Sequence, residues 1–269
     1  MTNSPHDAAP AVDDVFPDFD EVPSASVARY ALVLGDDALI AAQRLGELIS
    51  SAPELEEDVA LANIGLDELG QARALLQYAG RADGRSEDDL AYLRDEAEFR
   101  SAHLVEQPNG DFAGVIAKLL LFSLYQRELY AALTGSTDNY LAAVAAKAVK
   151  EVRYHVEHAV TWTIRLGDGT DESHRRMQGA LDAVWPYLDE LFEVADFADL
   201  AADGTAVDAS ALRTAFDTAL DVVLDEATLT RPDVPAIRAR GRYGEHSQHL
   251  GYLLAEMQVL ARKHPGAAW

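Results

Sequence analysis

The chain has 269 residues, no cysteine, and a formal charge of −24 from 22 basic and 46 acidic side chains. The missing thiols exclude disulfides, thiolate catalysis, zinc-thiolate sites and iron–sulfur ligation, so a metal here would have to sit on carboxylates and histidines. With no segregated basic patch, the acidic balance argues against nucleic acid or anionic membrane as partners.

A hydrophobic fraction of 49% is enough for a buried core. No apolar run reaches eighteen residues, and the first segment has neither a basic start nor an apolar signal core. The reading is a cytoplasmic protein without a membrane span. Residues 1–23 are rich in Pro, Ala and Asp and lack helical periodicity, which predicts a flexible acidic tail ahead of one domain over 24–269.

From Ser24 apolar residues recur at three- and four-residue steps, predicting a first long helix to about Ser50. Ser51 and Pro53 suit the start of a second, running to Gly80. Ser86 before three acidic residues predicts a shorter helix to about Phe99. EQPNGDF (106–112) is a turn, and Phe112 to Leu133 is a third long helix, apolar on nearly every side and hence central. A fourth runs from about Asp138 to Leu166, and further helices are predicted near 171–195, 208–228 and 244–263. No strand alternation is convincing. The pattern predicts an all-α domain of about seven or eight helices that fits a four-helix bundle with additional helices.

The second helix carries Glu68 three residues before Gln71, a spacing that puts both on one face. Di-iron proteins of the ferritin-like class need a Glu from each of two helices and Glu-x-x-His from each of the other two, to neutralise and anchor two iron ions. Only partial matches occur. Glu47 shares a face of the first helix with Gln43, Ile40 and Asp36 and is a candidate inward carboxylate. An amide, Gln71, stands at the imidazole position of the second helix, where Asp67 competes with Glu68 for the inward place. The third helix offers Gln126 and Glu128. The fourth offers Glu151, with Tyr154 at i+3 where an imidazole is expected and His155 at i+4. Lys147, one turn before Glu151, can place an ammonium among these carboxylates. His155 with His158, and His246 with His249, are bare i, i+3 pairs. No phosphate-binding glycine loop or G-x-S-x-G elbow occurs, so hydride, phosphoryl and acyl transfer lack support.

The segments LVLGDDALIAAQRLGEL (32–48), APELEEDVALANIGLDELGQAR (52–73), VEQPNGDFA (105–113), AAKAVKEVRYHVEHA (145–159), RLGDGTDES (165–173) and HLGYLLAEMQVLARKHPGAAW (249–269) resemble the C subunits of bacterial phenylacetyl-CoA epoxidases. The resemblance covers nearly everything after residue 24. It implies a ferritin-like scaffold in a multicomponent monooxygenase that adds one oxygen atom to the ring of phenylacetyl-CoA. It further implies no cofactor in this chain: the di-iron centre belongs to a catalytic A subunit, the chain's partner, and an NADPH-dependent reductase carries FAD and a [2Fe–2S] cluster. On that reading Glu47, Glu68, Gln71, Lys147, Glu151, Tyr154 and His155 are the remains of a di-iron site. Two alternatives stay open, an independent di-iron oxidase or oxygenase with Gln and Tyr ligands, and a small-molecule binder using the vacated core. Trp269 is an expected interface anchor, whereas Leu253, Leu254, Met257 and Leu260 serve either that interface or the chain's own core.

Overall fold

A computed structural model describes residues 21–193 and 196–267. Most of the expected tail and Trp269 therefore lie outside the described residues.

Four long helices dominate: α1 (Ala25–Gly46), α2 (Leu55–Gly80), α4 (Phe112–Leu133) and α5 (Asn139–Gly167). Between α2 and α4 runs a crossover containing the single turn α3 (His103–Glu106). The chain continues through α6 (Asp171–Val184), α7 (Ala198–Ala202), α8 (Arg213–Glu226) and α9 (Gln248–Lys263). The described residues form no strand, only an isolated bridge between Arg240 and Glu245. The architecture is an all-α, ferritin-like four-helix bundle with additional helices, with one long crossover joining two antiparallel pairs.

Local chemistry sets the long helices. Ser24, Asp111 and Asp138 occupy N-cap positions of α1, α4 and α5, and their side chains accept backbone N–H groups of the first turn. α1 packs along α2 and α4 along α5, while α2 on α5 joins the pairs. α4 is buried on nearly all sides because α5, α6 and α8 also pack on it. Tyr78 of α2 stacks on Tyr140 of α5 at 4.2 Å, and its hydroxyl donates to the capping Asp138 at 2.6 Å.

The periodicity of the long helices matches the structure, and the shorter predictions need correction. Residues 86–99 form a π-helical turn at Asp89–Leu93 and a 3-10 turn at Glu96–Glu98. The expected helix over 171–195 stops at Val184, where Pro186 cannot supply a backbone N–H; 3-10 turns follow. The crossover is tied to α1 by charge. Arg94 makes a bidentate pair with Asp36, both buried, and Arg242, in the loop before α9, pairs with Asp37 of α1 at 2.6 Å. At the C-terminal end Leu253 and Leu254 are buried in the chain's own core, Met257 packs against it, and Leu260 is exposed.

Candidate functional site: a polar cluster between three helices

The inward face of α5 is fixed by its apolar positions. Leu141, Val144, Ala145, Ala148, Val152, Val156 and Ala159 are buried, and the same face carries His155, which is fully buried. Tyr154, one residue earlier, turns about 100° away and is 46% exposed. The expectation that Tyr154 replaces an imidazole is therefore corrected: the inward i, i+3 pair of α5 is Val152 and His155. Valine takes the carboxylate place and histidine keeps its own.

On α2, Glu68 and Gln71 are both buried as the spacing requires. Gln126 of α4 is also buried and donates to Glu68 Oε2 at 2.9 Å. His155 Nε2 lies 3.2 Å from Asp67 Oδ2, and its Nδ1 lies 3.5 Å from Glu68 Oε1, an ion-pair distance without hydrogen-bond geometry. Burial by itself would lower the His155 pKa, but the carboxylates of Asp67 and Glu68 outweigh it and push the imidazole up to about 9. His155 is thus an imidazolium at neutral pH. Asp67 and Glu68 both face this ring, so the sequence's choice between them resolves as a division of labour: Asp67 at the rim, Glu68 inside.

Glu151 sits at the edge. It accepts Gln71 Nε2 at 3.3 Å and pairs with Lys147 at 3.0 Å. The Lys147 side chain is 40% exposed, so its ammonium closes the outer rim rather than filling the interior. Glu47 is not part of the cluster. It follows the last turn of α1, is exposed, and is held by Arg44 at 2.7 Å and Asn109 at 3.2 Å. The face shared with Ile40 and Asp36 ends where the helix ends. Glu128 pairs with its neighbour Arg127 at 2.7 Å, His158 with Glu57 at 3.4 Å and His246 with Glu106 at 2.6 Å.

Two iron ions do not fit this donor set. The inward side chains are one carboxylate (Glu68), one imidazole (His155), two amides (Gln71 and Gln126) and one valine (Val152), while the buried carboxylates of α1, Asp36 and Asp37, are engaged by arginines. The rim carboxylates Asp67 and Glu151 are turned to His155 and to Gln71 and Lys147, and among the described residues no three His, Cys, Asp or Glu side chains converge on a position that could hold a metal ion. The buried acceptors Glu68 Oε1, Gln71 Oε1 and Gln126 Oε1 have no hydrogen-bond partner of their own, and of the three Glu68 Oε1 lies at ion-pair distance from the imidazolium.

Sequence reasoning missed a second buried group nearby. Lys118 of α4 donates to Gln107 O at 2.6 Å and Asn109 Oδ1 at 2.8 Å, beside a cavity of about 40 Å³ lined also by Arg44, Glu68 and Phe122. Burial, and then the neighbouring Arg44, push its amine down to about 7. A lysine inside the apolar run from Phe112 to Phe122 was the available signal.

The bundle and its polar centre define a class: a ferritin-like helical protein with buried Glu, Gln and His side chains clustered between α2, α4 and α5. The family model described as phenylacetic acid catabolic protein matches residues 18–269, and the chain belongs to that family. The C subunit of 1,2-phenylacetyl-CoA epoxidase from Escherichia coli (strain K12) is 48% identical over 243 residues, covering 89% of this chain and 98% of that one. The similarity supports a role in phenylacetate catabolism.

Proposed function

We propose that this chain is the structural, non-catalytic subunit of a multicomponent 1,2-phenylacetyl-CoA epoxidase. It binds and stabilises a di-iron catalytic A subunit in the cytoplasm during aerobic phenylacetate degradation. Electrons reach that subunit from a reductase with FAD and a [2Fe–2S] cluster, and no step of the oxygenation runs through this chain's residues. The observation that carries the reading is the inward side-chain set of Glu68, Gln71, Gln126, Val152 and His155, with its single carboxylate. Among the described residues no helix is long and apolar enough to cross a membrane.

In this reading the polar cluster does structural work. The imidazolium of His155 balances Asp67 and Glu68, and Gln126 and Gln71 tie α4 and α5 to α2. The test is to reconstitute the purified chain with ferrous iron under anaerobic conditions and measure bound metal and oxygen uptake. Less than one iron per chain and no uptake are expected. Two irons per chain with oxygen consumption would overturn the proposal.

A further inference from the structure

The outer face of α2 is apolar in a way that its inner face does not explain. Leu55, Val59, Leu66 and Leu69 are all exposed, the first at 75%, and they follow one another at steps of four, seven and three residues. Those steps keep them on one stripe about 21 Å long, at 1.5 Å per residue. Ala62, Asn63 and Gly70 lie along the same side and keep the ridge low, which lets another helix approach closely. Ile49, in the turn before α2, and Tyr154 on α5 are exposed too. The Tyr154 ring lies 6.2 Å from that of His158, whose partner is Glu57 of α2. A soluble chain rarely leaves so continuous a ridge uncovered.

The ends of the stripe differ in charge. Glu54 and Glu56 are exposed at its start, whereas at its end Arg73 of α2 is paired with Glu87 and Lys147 of α5 with Glu151. The Nζ of Lys147 lies close over Gly70. Directly behind the stripe sits the polar cluster, whose rim residues Asp67 and Lys147 are 36% and 40% exposed on this same side.

We propose that the outer face of α2, edged by Lys147, is the surface that receives the catalytic subunit, by a helix with an apolar stripe and basic residues opposite Glu54 and Glu56. This rests on the subunit reading above. A second copy of this chain is the disfavoured occupant, because each copy carries a formal −24 and would bring that charge against its equal. Docking would bury Asp67 and Lys147 and so seal the rim of the cluster.

The test uses the full chain, co-expressed with the catalytic subunit of the same bacterium's epoxidase. Val59→Glu and Leu66→Glu alter exposed positions and should leave circular dichroism and Tm unchanged. Each is expected to weaken the complex at least 100-fold in sedimentation velocity, whereas Val222→Glu, on the exposed side of α8, is expected to leave it intact. Because the chain has no cysteine, Leu66→Cys and Val222→Cys also give single spin-label sites. Partner addition should immobilise the label at 66 and not at 222. If the wild-type complex forms but both α2 variants bind normally and the label at 66 stays mobile, the surface is elsewhere and this inference falls while the subunit reading stands. If a homodimer of the chain is lost in the α2 variants and the heterocomplex is not, the occupant is wrong. If the wild-type chains never associate, the subunit reading itself is overturned.

Discussion

One residue of register on α5 changes the meaning of the polar centre. His155 and Tyr154 are neighbours in sequence, yet one is fully buried between Asp67 and Glu68 and the other faces outward. His155→Ala leaves two carboxylates without their cation and is expected to cost about 2–4 kcal/mol, measured by urea unfolding. Tyr154→Ala is expected to fall within about 0.5 kcal/mol. The folded pKa of His155, about 9, lies above its ordinary 6.5. Its contribution to stability is therefore complete below about pH 6.5 and lost as pH rises through 9. A ¹⁵N-edited NMR titration should place its midpoint near 9, and a midpoint at or below 6.5 would remove the imidazolium from the account. The Glu68 and Gln71 pair was legible in the sequence because i, i+3 spacing on an amphipathic helix leaves little freedom. Tyr154 was misplaced because the fourth helix was read from the expected ligand spacing outward from Glu151. Its own apolar period, through Leu141, Ala148, Val152 and Ala159, points to His155.

Elements whose period repeats over several turns were readable, and those held by distant partners were not. α4 and α5 begin at Asp caps and run over apolar patterns of six turns or more, so their limits follow from local chemistry. The crossover between α2 and α4 has no such period. Its path is fixed by Arg94 with Asp36, by the Ala102 N–H donating to Asp37, and by Glu106 receiving His246 and the Ser247 N–H. Those partners lie tens to hundreds of residues apart, so no sequence window contains both ends. Arg94→Met is expected to destabilise by about 3–5 kcal/mol, since Asp36 would be left charged and buried. The double variant Asp36→Leu with Arg94→Met is expected to recover most of that loss, which a double-mutant cycle in urea would measure. Gly80 marks the start of the crossover: a Cβ there would lie 2.1 Å from the Arg85 carbonyl oxygen, so the chain can leave α2 this tightly only at a glycine.

For the molecule as a whole, the formal charge of −24 is mutual repulsion that the fold must outweigh. Screening reduces it, so Tm should rise by several degrees between about 20 mM and 500 mM sodium chloride; a falling Tm would mean that the ion pairs of the crossover outweigh the repulsion. The helical class and family were legible across most of the chain because they depend on patterns spread over it. The exposed stripe on α2 was not. Sequence period alone showed that Leu55, Val59, Leu66 and Leu69 were apolar, and only the packing of α1 and α5 on the other side of α2 shows that nothing in the described chain covers them.

Lys118 gives the molecule a built-in clock. The chain contains four lysines, at 118, 147, 150 and 263, and burial brings the amine of Lys118 down to about 7. At pH 8 it is mostly free base and nucleophilic, yet the crossover residues Gln107 and Asn109 close over it. Its rate of acylation by a small ester would therefore count how often the crossover lifts from α4, timing in solution an opening that a static view of the bundle does not record.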